Sequence, residues 1–307
     1  MLCPGRLYAR RVAQVVAVVG PTAAGKSDLG IALARELGGE VVNADSMQLY
    51  RGMDIGTAKL RPDERGGVPH HLLDVWPVTR TATVADYQEL CRAVLDDLLA
   101  RGVTPVLVGG SGLYLRAALD RLEFPGTDPE LRARLEEELA EQGAAALHAR
   151  LQALDPASAA RMDPANGRRI VRALEVHALA GPMPGGMTSY EAYYPTTWIG
   201  VDRDDLTDRI SVRVDRMFDA GLVEEVRALE AEGLRDGVTA SRALGYAQVL
   251  DLLDGDGTAQ EARERTVLAT RRFARRQRSW FRRDPRVRWL DGARAAVAEE
   301  ALNLLRS

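Results

Sequence analysis

The residues best suited to chemistry come early in the chain. Gly20-Pro21-Thr22-Ala23-Ala24-Gly25-Lys26-Ser27 fits the phosphate-loop pattern G-x-x-x-x-G-K-[ST]. In such a loop the glycines let backbone N–H groups surround a diphosphate, and the start of the next helix adds positive potential. Lys26 neutralises phosphate oxygens, and the Ser27 hydroxyl can ligate Mg²⁺. Asp45 is the second candidate. It follows Val41-Val42-Asn43-Ala44, at the C-terminal end of a predicted strand, where a base would face an acceptor near the bound phosphates. A hydrolytic enzyme with this loop places an aspartate after a later strand to organise Mg²⁺ and the attacking water. Here the strand at 105–108 ends in Gly109-Gly110-Ser111 instead, which points to group transfer rather than hydrolysis.

The elements that must position these residues follow from the apolar pattern. Val15–Val19 is a continuous run rich in β-branched residues and predicts a buried parallel strand. Residues 27–37 have helical periodicity and stop at Gly38-Gly39. Strands are expected at 40–44 and 105–108, with a helix at 82–100 between them. This alternation predicts an α/β fold with a parallel sheet, right-handed crossovers and ligands beyond the carboxyl ends of the strands. Between 124 and 195 the texture becomes helical without strand, at 129–142, 144–153 and 165–180. Pro125-Gly126 and Gly181–Gly186 bracket that stretch. The expected organisation is therefore a P-loop core at 1–123 and 196–307, interrupted by a helical insertion at 124–195. A returning strand is expected at 197–201, and mostly helix after it.

Composition narrows the class. The 307 residues are 46% apolar, ample for a packed core, and the net charge is −3. Cys3 and Cys91 cannot build a disulfide framework or a four-thiolate zinc site, which favours a reducing cytoplasm. Arg10-Arg11, the apolar stretch 12–19 and Thr22-Ala23-Ala24 superficially resemble a secretory signal, but the phosphate loop lies where cleavage would fall. No apolar run approaches the roughly 20 residues needed to span a bilayer, so no membrane partner is expected. The charge is unevenly placed: residues 271–288 hold nine arginines against one aspartate, a local +8 suited to a polyanion. Arg271, Arg275, Arg278 and Arg282 follow 4-3-4 spacing, a helical stripe expected to face phosphates. On another stripe fall Phe273, Gln277 and Trp280, with Phe273 and Trp280 expected to pack the helix onto the sheet. The adjacent His70 and His71 point in divergent directions, so a structural role is expected for them rather than a metal site.

Several segments together resemble the bacterial tRNA dimethylallyltransferase family. They are Asp45 to Lys59, Pro69 to Asp74, Val108 to Tyr114, Arg168 to Glu175, Gly245-Tyr246 and Thr270 to Arg282, in order over nearly the whole chain. The resemblance implies that Asp45 accepts the proton from the N6 amine of an adenosine in the anticodon loop. Lys26, the loop from Thr22 to Ser27 and Mg²⁺ would hold dimethylallyl diphosphate, with Gly20, Ala23, Ala24 and Gly25 in the loop. Arg209 and Arg213, four apart on one predicted helical face, would be extra diphosphate ligands, although a solvated face paired with Asp205 and Asp208 is the alternative. Ser111, where the family often has Thr, would hydrogen-bond near the reacting amine or the diphosphate. Ser46, Met47 and Gln48 would contact the tRNA beside Asp45, as would Arg132, Arg168, Arg169 and Arg172 from the insertion. Arg168 stands where the family often has Gln. Arg271 and Arg275 would meet the RNA from the C-terminal helix. The partners implied are the tRNA anticodon stem-loop and dimethylallyl diphosphate, for a monomeric cytoplasmic enzyme. Three rivals remain: a small-molecule kinase holding ATP in the same loop, an isopentenyltransferase of free adenine nucleotides, and a nucleotide-gated RNA-binding switch.

Overall fold

The computed structural model describes residues 14–181 and 189–306. Cys3, Arg10 and Arg11 lie outside the described residues, as do residues 182–188, which include most of the bracketing stretch Gly181–Gly186. The chain order is β1 (Val15–Val19), α1 (Lys26–Leu37), β2 (Glu40–Asn43), β3 (His70–His71), α2 (Val84–Ala100), β4 (Pro105–Gly109) and α3 (Gly112–Leu119). Then come α4 (Pro129–Leu154), α5 (Pro156–Ala159), α6 (Gly167–Ala180), β5 (Thr196–Asp202), α7 (Leu206–Asp219), α8 (Leu222–Ala231), α9 (Tyr246–Leu253), α10 (Ala259–Phe281), β6 (Val287–Asp291) and α11 (Val297–Arg306).

Among the described residues the strands form one parallel sheet in the order β3-β2-β4-β1-β5-β6. β1 lies inside the sheet, fully buried along its length. Its side chains alternate between two cores. Val15, Ala17 and Val19 face one core with Tyr87, Cys91 and Leu95 of α2 and Tyr246 and Val249 of α9. Val16 and Val18 face the other with Leu29 and Leu33 of α1 and Ile210 and Val214 of α7. A strand buried on both faces needs no polar alternation, which is why β1 reads as a continuous apolar run. Each fully buried valine contributes about 1.5–3 kcal/mol of hydrophobic stabilisation. Burial also pushes the Cys91 thiol up to about 12, so that thiol is unreactive at neutral pH.

Two features depart from the sequence expectation. Val287–Asp291 forms an edge strand in what was expected to be a mostly helical stretch, and His70–His71 adds a short strand at the opposite edge. His71 Nε2 meets Glu40 at 2.6 Å and His70 Nδ1 meets the Val68 carbonyl at 2.9 Å, both local contacts of structural kind.

Arg121–Glu191 forms a compact unit of its own, and the rest of the described chain forms the other. Within the larger unit Asp120 and Ala192 form a bridge, and within the smaller one Arg121 N donates to Glu191 O at 2.8 Å. The smaller unit therefore begins three residues before the expected limit of 124 and ends four residues before the expected limit of 195. Within the unit, α4 breaks at Gly143, whose φ of 81° only glycine adopts readily. Leu135, Leu147, Leu151, Ile170 and Leu174 make its own core. Glu175 on α6 is fully buried there, and it accepts from Arg132 at 2.5 Å, from Arg172 at 2.7 Å and from Asp128 N at 3.0 Å.

Candidate active site

The carboxyl ends of β1, β2 and β4 meet at a cavity of about 990 Å³. From β1 comes the loop Gly20–Ser27. Gly20 has φ +143°, and a Cβ there would meet Val201 O at 2.1 Å, so only glycine fits between the loop and β5. Gly25, at φ +98°, is the N-cap of α1. Ala23 holds a left-handed φ of +66° despite its side chain, a conformation that costs energy and persists only where its surroundings enforce it. Here they do: Arg209 Nε of α7 donates to Ala23 O at 2.9 Å, and Arg213 donates to Thr22 Oγ1 at 3.2 Å. Thr22 N in turn donates to Gln277 Oε1 of α10 at 2.9 Å.

Thr22, Ala23, Gly25, Lys26 and Ser27 line the cavity, while Gly20 and Ala24 are buried behind them. Lys26 Nζ donates to Pro21 O at 2.8 Å. Burial, and then the nearby Arg213, bring its ammonium down to about 8, with Asp45 acting against them. Arg209 and Arg213 also line the cavity, and Asp205 is taken instead by Arg203 at 2.8 Å. Of the two acids that the solvated-face alternative invoked, Asp205 is thus paired elsewhere and Asp208 lines the same cavity. Arg216, one turn further along the same face, joins them at the wall, a residue that the spacing of Arg209 and Arg213 could have indicated.

Asp45 faces this basic wall from the end of β2. Asn43, 5% exposed, holds the bend: its Nδ2 donates to Asp45 O at 3.0 Å and to Leu72 O at 2.9 Å, while its Oδ1 accepts from Asp45 N at 2.9 Å. Asp45 Oδ1 accepts from Met47 N at 3.0 Å. Desolvation nevertheless raises the Asp45 carboxyl above its ordinary value, opposed by that bond and then by Lys26 and Arg213. Gln48 lines the cavity with Asp45 and donates to Thr57 O at 3.1 Å. Ser46 and Met47 are half-buried beside it and are not part of the lining.

From β4 come Gly109 and Gly110 as lining, followed by Ser111 just outside it. Ser111 is the N-cap of α3, yet its hydroxyl makes no capping bond. Gln277 Nε2 donates to Gly110 O at 2.9 Å, so this one buried side chain ties the β1 loop to the β4 loop. The sequence showed Gln277 only as a member of an aromatic stripe.

Helix α10 corrects two further expectations. Its buried stripe is Ala274, Gln277 and Phe281, with Trp280 packed beside it against Gly112. Phe273 instead lines the cavity. The arginine stripe is largely committed within the protein rather than facing phosphates. Arg278 and Arg282 pair with Asp202 at 2.7 Å and 3.1 Å, and Arg271 donates to Ser211 Oγ at 2.9 Å. Arg275 is exposed, as are Arg272 and Arg276 on the neighbouring face. In the insertion, Arg168 and Arg169 are exposed beside a groove that Arg132 and Arg172 also line.

Comparison with known proteins fits this geometry. The family pattern described as IPP transferase matches residues 48–284. The tRNA dimethylallyltransferase of Streptomyces coelicolor is 67% identical over 289 residues, covering 93% of each chain. That of Thermobifida fusca is 66% identical, covering 90% of this chain and 89% of its own. Among solved structures, the tRNA isopentenylpyrophosphate transferase of Bacillus halodurans is 40% identical with a TM-score of 0.72, covering 96% of both chains. A eukaryotic dimethylallyltransferase acting on tRNA gives a TM-score of 0.81 at 25% identity, covering 94% of this chain and 77% of the other. On this identity and coverage the chain belongs to the IPP transferase family.

Proposed function

We propose that the chain moves the dimethylallyl group from dimethylallyl diphosphate to N6 of the adenosine on the 3′ side of the anticodon, in tRNAs reading codons that begin with U, and releases diphosphate. One observation carries the reading: a carboxylate at the end of β2 and a cationic diphosphate cradle at the end of β1 line a single cavity. A kinase of this size would use the cradle, but the names of the relatives support a prenyl donor and a tRNA acceptor.

Lys26, Arg209 and Arg213 hold the donor's phosphates, with the loop amides around them. The N6 lone pair attacks the allylic carbon, the carbon–oxygen bond breaks, and its electrons leave on the diphosphate. The N6 proton passes to the Asp45 carboxylate. Desolvation makes that carboxylate a stronger base than a carboxylate in water. The fixed positive groups stabilise the charge that gathers on the leaving diphosphate. Ser111, with its hydroxyl not spent on a cap, hydrogen-bonds at the amine or the diphosphate.

The donor set suits Mg²⁺, which takes few protein ligands and fills its shell from substrate phosphates and water. Ser27 offers an exposed hydroxyl at the start of α1 and would hold the ion, which when bound supplies further neutralisation of phosphate charge. Gln48 and its neighbours Ser46 and Met47 meet the RNA beside the target base. Arg275, Arg168 and Arg169 engage its phosphates, and Arg132, Arg172 and Arg271 are held close by through their internal contacts. The enzyme acts as a monomer in the cytoplasm, where its acceptor is.

Incubation with Mg²⁺, labelled dimethylallyl diphosphate and unmodified tRNA, with AMP and ATP as competing acceptors, tests the reading by mass spectrometry of the products. Prenylated adenosine in the anticodon loop is expected. Label on AMP or ATP would move the assignment to a free-nucleotide transferase, and no labelled acceptor at all would sink it.

A further inference from the structure

Gly245-Tyr246 is a shared motif that the reaction above does not use. Tyr246 is fully buried, and its hydroxyl donates to Glu225 Oε1 of α8 at 2.6 Å. The same carboxylate oxygen accepts from Gly56 N at 3.2 Å. Its partner Oε2 accepts from Ile55 N at 2.7 Å and from Asp54 N at 3.2 Å. Three successive amides thus converge on one half-buried carboxylate, an arrangement that binds anions strongly and here is filled from within. The tyrosine ring lies directly under the turn: a Cβ on Gly56 would meet Tyr246 Cε2 at 2.4 Å.

That turn is a wall of the site. Asp54, Ile55 and Thr57 line the cavity, and Thr57 O receives the amide of Gln48, three residues from Asp45. We infer that Glu225, seated on Tyr246, is a positioning residue that holds the 54–57 turn and through it the Gln48 side of the acceptor pocket, away from the diphosphate loop. The inference rests on the prenyl-transfer reading for its consequence, but the clamp itself is measurable without turnover.

The test compares wild type with E225Q, which keeps one acceptor oxygen, and with Y246F, which keeps the ring and removes only the hydroxyl. Hydrogen exchange of the segment 53–58, titration of dimethylallyl diphosphate and steady-state kinetics with tRNA are measured on each. Exchange at those amides should rise by about tenfold or more in E225Q. The kcat/KM for tRNA should fall by about tenfold, while the Kd for dimethylallyl diphosphate stays within about twofold. Y246F should shift both readouts in the same direction by less. Unchanged exchange would overturn the clamp. So would a loss of tRNA and diphosphate function in equal proportion, the sign of general unfolding. If wild type failed to prenylate tRNA, the prenyl-transfer reading would fall, and the exchange data would still decide whether Glu225 holds the turn.

Discussion

Helices α7 and α10 both carry arginines at helical spacing, and they use them in opposite ways. On α7, Arg209, Arg213 and Arg216 point into the cavity, where Arg209 and Arg213 support the β1 loop through Ala23 O and Thr22 Oγ1. On α10, the more conspicuous stripe is spent internally: Asp202 takes Arg278 and Arg282, and Ser211 takes Arg271. Spacing identifies a face, but an acid at the end of a distant strand decides whether that face is available. Asp202 ends β5, 76 and 80 residues before Arg278 and Arg282, and no local pattern announces it. The exposed cations of α10 are left on the adjoining side, at Arg272, Arg275 and Arg276. If α7 serves the donor, the largest losses should come from that half of the molecule and from the carboxylate facing it.

Asp45→Asn should therefore have the greatest effect, lowering kcat by about 10²- to 10⁴-fold while leaving diphosphate affinity within a few-fold. In the unaltered enzyme kcat/KM should fall as pH drops through the pKa of Asp45, at a pH above aspartate's ordinary value because desolvation raises that pKa. An acid limb at the ordinary aspartate value, or one that persists in Asp45→Asn, would remove Asp45 from the role of base. Next in size is the pH dependence of donor binding. Lys26 titrates near 8 in the free protein because burial and Arg213 disfavour its charge. A bound diphosphate favours the charged form and raises the value again. Affinity should then be steady below about pH 8 and weaken above it by up to about tenfold per unit, with proton uptake on binding. Calorimetry in buffers of different ionisation enthalpy reads that uptake, which should vanish in Lys26→Met.

The donor half was the more legible half, and the reason is locality. Val15–Val19, the glycine-bearing loop and α1 lie within some two dozen residues, so strand, turn and cap signals reinforce one another. Asp45 could be placed because the chain returns to the same sheet edge immediately afterwards. Gly143 broke the helical pattern at the residue where α4 kinks. β6 was missed because Val287-Arg288-Trp289-Leu290-Asp291 is a short, partly exposed edge strand that adjoins the arginine run. Gln277 and Glu225 were invisible for a different reason: their partners Thr22 and Ile55 are 255 and 170 residues away. Side chains that accept backbone N–H groups across such separations leave no periodicity to read.

Arg278→Ala sharpens the contrast between the two helices. Asp202, with its side chain 13% exposed, would lose its 2.7 Å partner and keep the more exposed Arg282 and the Arg203 N–H that donates to Oδ1 at 2.9 Å. The expected cost is about 1–3 kcal/mol of stability, seen as a lower denaturation midpoint. The salt dependence of tRNA binding should not change. Arg275→Ala should do the reverse, leaving stability within about 0.5 kcal/mol and reducing the slope of log K against log[salt] by roughly one. Equal slopes for the two variants would mean that Arg278 leaves Asp202 when RNA arrives.

The same distinction holds inside the insertion, with the smallest expected effects. Arg132 and Arg172 are held on the buried Glu175, and Arg172 also caps the carbonyls of Pro125 and Gly126 at 2.6 Å and 3.0 Å. Removing either leaves a buried carboxylate short of a partner, so its effect should be on the stability of residues 121–191 first. Arg168 and Arg169 are exposed near the N-terminus of α6 and carry no such duty. Arg168→Ala and Arg169→Ala should each lower tRNA affinity only a few-fold at moderate salt and lower the salt slope by roughly one, with the denaturation midpoint unmoved. A loss at Arg168 that stays constant across salt would instead identify a base contact.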